Sequence, residues 1–273
     1  MHENMFDSDR KNNIKDYWND RAKRHRMDPQ ATTNDAYLRE LEVRTILKTI
    51  DEVGFPEDSQ ILDLGCADGF STIKLAEALP NYKIIGIDYG QDMIEIAKEK
   101  LNLKPELKER LEFSVGDASS LSNIENSTFN LVLTDRLLIN LDSKETQKKA
   151  LSEIHDKLLK GGYYVAIENF LEGHQNMNKA RSSVGLPEIP LRWHNLFLEK
   201  EEFFNNISEL FELVSVKDFA SAYYFATRVV YSKMCKMQNQ KPDYYHDIHK
   251  LSIDLPWFGE FSPVKMVVMR KKE

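Results

Sequence analysis

Cysteine is nearly absent. Cys66 and Cys235 are the only two in the chain, too few for a disulfide framework or a cysteine metal site. Isolated thiols suit a reducing compartment, and the expected location is cytoplasmic. No apolar run approaches the length of a membrane span, and the N-terminus is polar without a signal-like apolar core, so no membrane partner is expected. Positive charge is in deficit. A net charge of −7 argues against a general nucleic-acid binder. The histidines lack ligand spacing, with only His246 and His249 three apart, so no metal is expected. Repeats, low-complexity tracts and the dinucleotide fingerprint G-x-G-x-x-G are all missing. The balance of 41% hydrophobic and 30% charged residues is that of an ordinary globule, long enough for one large domain or one with an insertion.

The stretch that organises the rest is 60–72. Gln60–Leu64 is short and apolar except for Asp63, as a parallel strand buried on both faces should be. Gly65 and Gly69 then allow a sharp bend and close approach of the backbone to a ligand. From Phe70 the pattern turns helical, with Ile73, Ala76 and Leu79 on one face and Pro80 beyond the end. Strand, glycine turn and helix N-terminus together make a nucleotide-binding corner. Lys83–Ile87 is a second apolar strand. It ends in Asp88, 19 positions after Gly69, near the spacing of a ribose-binding carboxylate.

With these motifs the chain resembles the class I S-adenosylmethionine (SAM)-dependent methyltransferases. Asp63-Leu-Gly65-Cys66-Ala67-Asp-Gly69 stands where that family has D/E-x-G-x-G-x-G. Ala67 replaces the middle glycine, a change tolerable at negative φ. Asp88 matches the second motif and Gly116-Asp117-Ala118 the third. Leu131–Arg136, with Thr134 and Asp135, matches the fourth, and Leu158-Leu-Lys-Gly161-Gly162 precedes the fifth strand. The resemblance implies an α/β, Rossmann-like methyltransferase fold: a seven-stranded, mostly parallel sheet with the last strand antiparallel and helices on both faces. It implies SAM as cofactor, with Asp88 on the ribose and Tyr89 over the adenine. Asp117 would accept from the adenine amino group, and the Ala118 N–H would donate to the ring. Residues 1–52 would form a helical lid. There Arg39 either pairs with the methionyl carboxylate or lies on a solvated helix face. Residues 53–273 would form the cofactor domain, with substrate-binding insertions at about 169–198 and 232–262.

Other elements follow from periodicity and capping. Residues 1–12 read as a frayed tail, Asn13–His25 as a helix, and Asn34 or Asp35 as the cap of the next. Asp142-Ser143-Lys144-Glu145 offers a capping box for a helix that Gly161 would stop. Asp63, Asp88, Asp117, Asp135 and Glu168 all fall near the carboxyl ends of strands, where open α/β sheets bind ligands.

The whole chain is similar to one branch of the family. Its marks are Leu138-Ile-Asn140-Leu141, Glu172-Gly173 with Asn178 and Arg181, Trp193-His194-Asn195, and Tyr224 with Arg228. Members accompany genes for bacterial surface sugars and other small metabolites, which implies a small-molecule acceptor and a role in polysaccharide biosynthesis. A neutral hydroxyl acceptor needs a general base, and His194 is the first candidate, Glu168 the second. An anionic acceptor needs arginines instead, and Arg136, Arg181, Arg192 and Arg228 all fall in the substrate half. Asn140, Asn178, Trp193, Asn195 and Tyr224 complete the candidate acceptor site, although each also has a packing role open to it. The expected reaction is O-methylation of a phosphorylated or nucleotide-linked sugar or related metabolite. The alternatives are a nicotinamide-dependent oxidoreductase and a SAM-binding module without catalysis. Oligomeric state is open, a homodimer included.

Overall fold

The apolar runs become the strands of one sheet. In the computed structural model, which describes residues 3–28 and 31–272, they are β1 (Gln60–Leu64), β2 (Lys83–Asp88), β3 (Leu111–Val115), β4 (Phe129–Asp135), β5 (Leu158–Asn169), β6 (Phe211–Lys217) and β7 (Val264–Lys271). Their order is β3-β2-β1-β4-β5-β7-β6. The first five are parallel, and β7 runs antiparallel to both β5 and β6. This is the sheet the sequence led us to expect. Strand order reverses between β1 and β4, which opens a crevice at their carboxyl ends.

Alternation along the strands serves two cores. Leu131 and Leu133 face one, with α2 (Ala36–Val53), α3 (Phe70–Ala78) and α4 (Gln91–Asn102). Val132 faces the other, with α5 (Lys144–Lys157) and, after α6 (Leu171–Ser183), α7 (Lys200–Ile207). Helix α1 (Glu3–His25) lies over α4, where Ala22 and Trp18 meet Met93 and Ile96. No helix among the described residues is long and apolar enough to cross a membrane.

Several local expectations change. Helix α1 starts at Glu3, so the expected frayed tail is helical wherever it is described; its first two residues lie outside the described residues. Asp35, not Asn34, caps α2, accepting from Leu38 N at 3.1 Å. Gly161 is not a helix stop. Helix α5 ends at Lys157, the chain enters β5 directly, and Gly161 adopts φ 71° inside that strand. The stretch at 169–198 holds a helix of its own, α6. The aromatic run from Ser221 is also helical: α8 (Ser221–Tyr224) passes through a π-helical turn, Phe225–Tyr231, into α9 (Ser232–Met237). A short α10 (Asp247–Ser252) follows.

Candidate active site

The glycine turn after β1 is held from both sides. Gly65 N and Cys66 N donate to Ile87 O at 2.7 and 3.1 Å, tying the turn to β2. At Gly69, φ 72°, a Cβ would stand 2.8 Å from the Phe113 ring and 2.9 Å from Ala97 Cβ, so only glycine fits. Ala67 departs from expectation: its φ is +47°, not negative. Its N–H donates to Asp88 Oδ2 at 3.1 Å, which offsets the left-handed conformation. Asp68, which the sequence reading passed over, is fully buried between Arg39 Nη2 at 2.8 Å and Lys100 Nζ at 2.6 Å. Burial raises its pKa, but the two cations outweigh that and hold it below the usual range. Buried Asp63 accepts from Thr72 Oγ1 at 2.7 Å and so anchors the start of α3. Burial lifts it to about 7.

A cavity of about 270 Å³ opens where these strand ends meet. Gly65, Ala67, Asp88, Tyr89, Asp135 and Arg136 line its sheet side. Trp18 and the 32–35 turn line it from the N-terminal side, His194 and Asn195 from the first insertion, Tyr244 from the second, and Tyr224 and Arg228 from the helical run between them. A smaller cavity of about 40 Å³ adjoins it, sharing Gly65, Asp88, Tyr89 and Asn140 and adding Asp117, Ala118 and Asp142. Asp88 stands at the junction. Burial raises it to about 6, against the pull of its hydrogen bonds from Gly90 N and Ala67 N.

The remaining candidates divide by what they touch. Glu168 is no catalytic base. It is fully buried, and its carboxylate accepts from Leu137 N, Leu138 N, Ile139 N and Thr134 Oγ1. It thereby pins the turn after β4, and burial lifts it to about 8. Thr134 is enclosed in the same network with Tyr164 OH at 2.9 Å. Arg39 is turned onto Asp68 and stacks on Phe70 at 4.0 Å, off the cavity lining. Cys66 and Gly69 shape the turn without lining either cavity. Arg181 donates to the carbonyls of Pro187 and Arg228, and Asn178 is bonded to both N and O of Ile189. These two residues fasten the 187–192 segment and do not line the cavity. Trp193 is exposed, its edge against Tyr17.

Two of the arginines that reach the cavity are already balanced. Arg136 pairs with buried Glu42 at 2.9 Å and with Asp135 at 3.2 Å. Arg228, in the π-helical turn, pairs with Asp35 and lies between the rings of Tyr224 and Tyr244. Asp35 also accepts from Tyr223 OH at 2.5 Å, and that hydroxyl meets His249 Nδ1 at 2.8 Å. A helix cap was visible in the sequence; this four-residue network was not. Among the described residues, Arg192 at the cavity rim makes no ion pair.

His194 is the chemically open group. It is buried, stacked on Tyr17 at 4.4 Å, and its Nδ1 has no hydrogen-bond partner among the described residues. Burial, then the charges of Arg192 and Arg21, lower its pKa to about 4, so the ring is neutral at pH 7. Among the described residues no group of three or more His, Cys, Asp and Glu is arranged to hold a metal ion.

A family model described as a methyltransferase domain matches residues 56–201, more than half of the chain. The chain belongs to the methyltransferase-domain family. Its cofactor is S-adenosylmethionine, which replaces the nicotinamide alternative. The site fits that group: a glycine corner, a carboxylate facing it, and buried polar atoms without partners beside it at Tyr89 OH, Asn140 Oδ1 and Asp142 Oδ1. The demethylmenaquinone methyltransferase of Lactococcus lactis subsp. lactis (strain IL1403) is 38% identical over 122 residues, 44% of this chain and 46% of that protein. The chain thus spans about half the length of the curated relatives it matches. Among solved structures, the N-methyltransferase NodS from Bradyrhizobium japonicum WM9, in complex with S-adenosyl-L-homocysteine, superimposes with TM-score 0.56 at 16% identity, covering 92% of this chain and 97% of that one. The MccD protein gives TM-score 0.54 at 21% identity, over 84% and 96%. At these identities the likeness concerns the fold. In this methyltransferase-domain protein the two cavities lie at the carboxyl edge of the sheet, where the fold places its ligand.

Proposed function

We propose that the chain transfers the SAM methyl group to a hydroxyl oxygen of a small acceptor in the larger cavity, with His194 taking the proton. The observation that carries this is the neutral, buried His194 imidazole, whose Nδ1 meets no partner in a cavity continuous with the glycine corner. When bound, SAM supplies an electrophilic methyl group on a sulfonium. The chain's own task is to align the acceptor oxygen with it, exclude water and receive the proton. An acceptor oxygen that gains the methyl group would become strongly acidic at its O–H, and His194 would stand ready to take that proton. Even a weakly basic imidazole suffices at that point. The Trp18 face of α1 and the 32–35 turn would act as the lid. Domain limits of 1–52 and 53–273 follow from that role.

For a phosphorylated or nucleotide-linked sugar, the cation available to the anionic group is Arg192 at the rim, because Arg136 and Arg228 face carboxylates. A second acceptor class is a quinone-like ring. The Lactococcus relative is named for demethylmenaquinone, and Trp18, Phe197, Tyr224 and Tyr244 line the cavity here. The test is incubation of the purified chain with methyl-labelled SAM and a metabolite extract, with products identified by mass spectrometry. The expected result is label on oxygen of a small molecule, lost in His194→Ala. Label on carbon or nitrogen, or undiminished transfer by the variant, would overturn the hydroxyl reading. No transfer by the unaltered chain would leave a silent SAM-binding module.

A further inference from the structure

We propose that Asn169 is an acceptor-binding residue that holds two adjacent hydroxyls on the ring that is methylated. The proposal rests on the hydroxyl-transfer reading above and narrows its acceptor to a polyol. It starts from the buried polar atoms that line the larger cavity and have no hydrogen-bond partner among the described residues. Tyr89 OH and Asn140 Oδ1 also line the smaller cavity, which puts them on the nucleoside side. Thr32 Oγ1, Asn169 Oδ1 and His194 Nδ1 belong to residues of the larger cavity alone. His194 has a proton to take, and Thr32 lies in the turn ahead of α2. Asn169 has no role yet.

Asn169 is the last residue of β5, at the carboxyl edge of the sheet. Its backbone is committed: it pairs with Val264 of β7, and its carbonyl accepts from Leu198 N at 2.9 Å. Pro263 and Phe197, the chain neighbours of those partners, line the cavity as well. The side chain is committed to nothing. It is buried, with the residue 8% exposed, and neither Oδ1 nor Nδ2 makes a hydrogen bond among the described residues. An asparagine that serves the fold uses its carboxamide, as Asn178 does on Ile189. A buried carboxamide oxygen without a donor is costly, and a ligand that supplies one recovers that cost.

The chemistry of that ligand follows from the group. A carboxamide asks for a donor at Oδ1 and an acceptor at Nδ2, side by side. Two adjacent hydroxyls offer both, one giving its hydrogen and the other its lone pair. A quinone ring offers carbonyls, which serve Nδ2 alone and leave Oδ1 bare. A fully ionised anionic group fails in the same way. The cavity of about 270 Å³ must also admit the sulfonium end of SAM, so the space left suits a single ring that reaches both His194 and Asn169.

The test compares Asn169→Leu with the unaltered chain, using methyl-labelled SAM and a metabolite extract. Leucine matches asparagine in side-chain size and needs no polar partner. Tm should hold or rise, and S-adenosylhomocysteine affinity should stay unchanged. Transfer should fall about 10–100-fold in dilute extract, the range of two neutral hydrogen bonds. It should recover as the extract is concentrated, because what is lost is binding. Periodate, which cleaves adjacent hydroxyls, should open the ring that carries the label. Undiminished transfer by Asn169→Leu overturns the proposal, and so does a labelled ring that resists periodate; with the label on oxygen, either result leaves the hydroxyl-transfer reading standing. A lower Tm with weaker S-adenosylhomocysteine binding would make Asn169 a structural residue and overturn the proposal as well. Label on carbon or nitrogen, or no transfer by the unaltered chain, would overturn that reading and this proposal with it.

Discussion

Gly173 offers a sharp test of how the first insertion is locked to the sheet. It lies in the first turn of α6, and a Cβ there would stand 1.9 Å from Ser262 O and 2.8 Å from Ser262 C. In Gly173→Ala the Ser262 peptide must therefore retreat by roughly 1.5 Å to reach van der Waals distance. That peptide is not free to move. Phe170 N donates to Pro263 O at 2.8 Å, and Val264 N donates to Ser262 Oγ at 2.9 Å, together fixing the entry to β7. Overpacking costs ~1–3 kcal/mol and a broken buried hydrogen bond a further ~1–3 kcal/mol. We therefore expect a loss of about 3–5 kcal/mol and a fall in Tm of about 8–15 °C. Urea titration followed by circular dichroism measures the loss. Gly185→Ala is the comparison: unlike Gly173 it has a positive φ, 72°, but no atom lies within 4 Å of the added Cβ. It should cost only the ~1–2 kcal/mol of left-handed strain. If the two variants lose the same stability, close approach at Ser262 is not what requires glycine at 173.

Three further outcomes are expected. Asp88 binds ribose hydroxyls best as a carboxylate, and its pKa in the folded chain is raised to about 6. Affinity for S-adenosylhomocysteine should therefore be flat above about pH 7, fall about twofold by pH 6 and about fivefold more between pH 6 and 5. The sign for stability is opposite. A raised carboxylate pKa favours folding at low pH, and that contribution is lost as pH rises through 6. Titration calorimetry across pH 5–8 checks the first statement, and a flat profile contradicts it. His194→Gln should lower kcat by about 10²–10⁴-fold with S-adenosylhomocysteine binding unchanged; equal loss in both would make the residue a packing group. Arg181→Ala should lower Tm, through loss of its bonds to two carbonyls at ~1.5–3 kcal/mol each, without raising the Michaelis constant of an acceptor. A raised constant with unchanged Tm would return Arg181 to the substrate site.

The sheet was readable because β1, β2 and β4, parallel strands in its interior, are written as short apolar runs that end at glycine or aspartate, while β3 at the edge alternates apolar with polar residues and stops at Gly116. Asp88 and the glycine turn were readable because their spacing along the chain is itself the geometry of the corner. Partner choice was not. Glu168 looks like a catalytic base until the three backbone N–H groups of the 137–139 turn are seen to converge on it. Arg39 and Arg181 look like ligand-binding cations until Asp68 and two carbonyls are found beside them. Those partners lie 29 positions away for Arg39 and, for the Arg228 carbonyl, 47 for Arg181, and no local pattern connects them. Ala67 shows the reverse. A positive φ at a non-glycine position is disfavoured locally, and the Asp88 side chain that compensates belongs to the next strand.

The most direct test of the central claim is a crystal structure of the chain with S-adenosylhomocysteine. The account predicts the nucleoside across the two cavities, its ribose hydroxyls on the Asp88 carboxylate and the glycine turn against its thioether chain. A ligand bound elsewhere, or Asp88 turned away from the ribose, would contradict it.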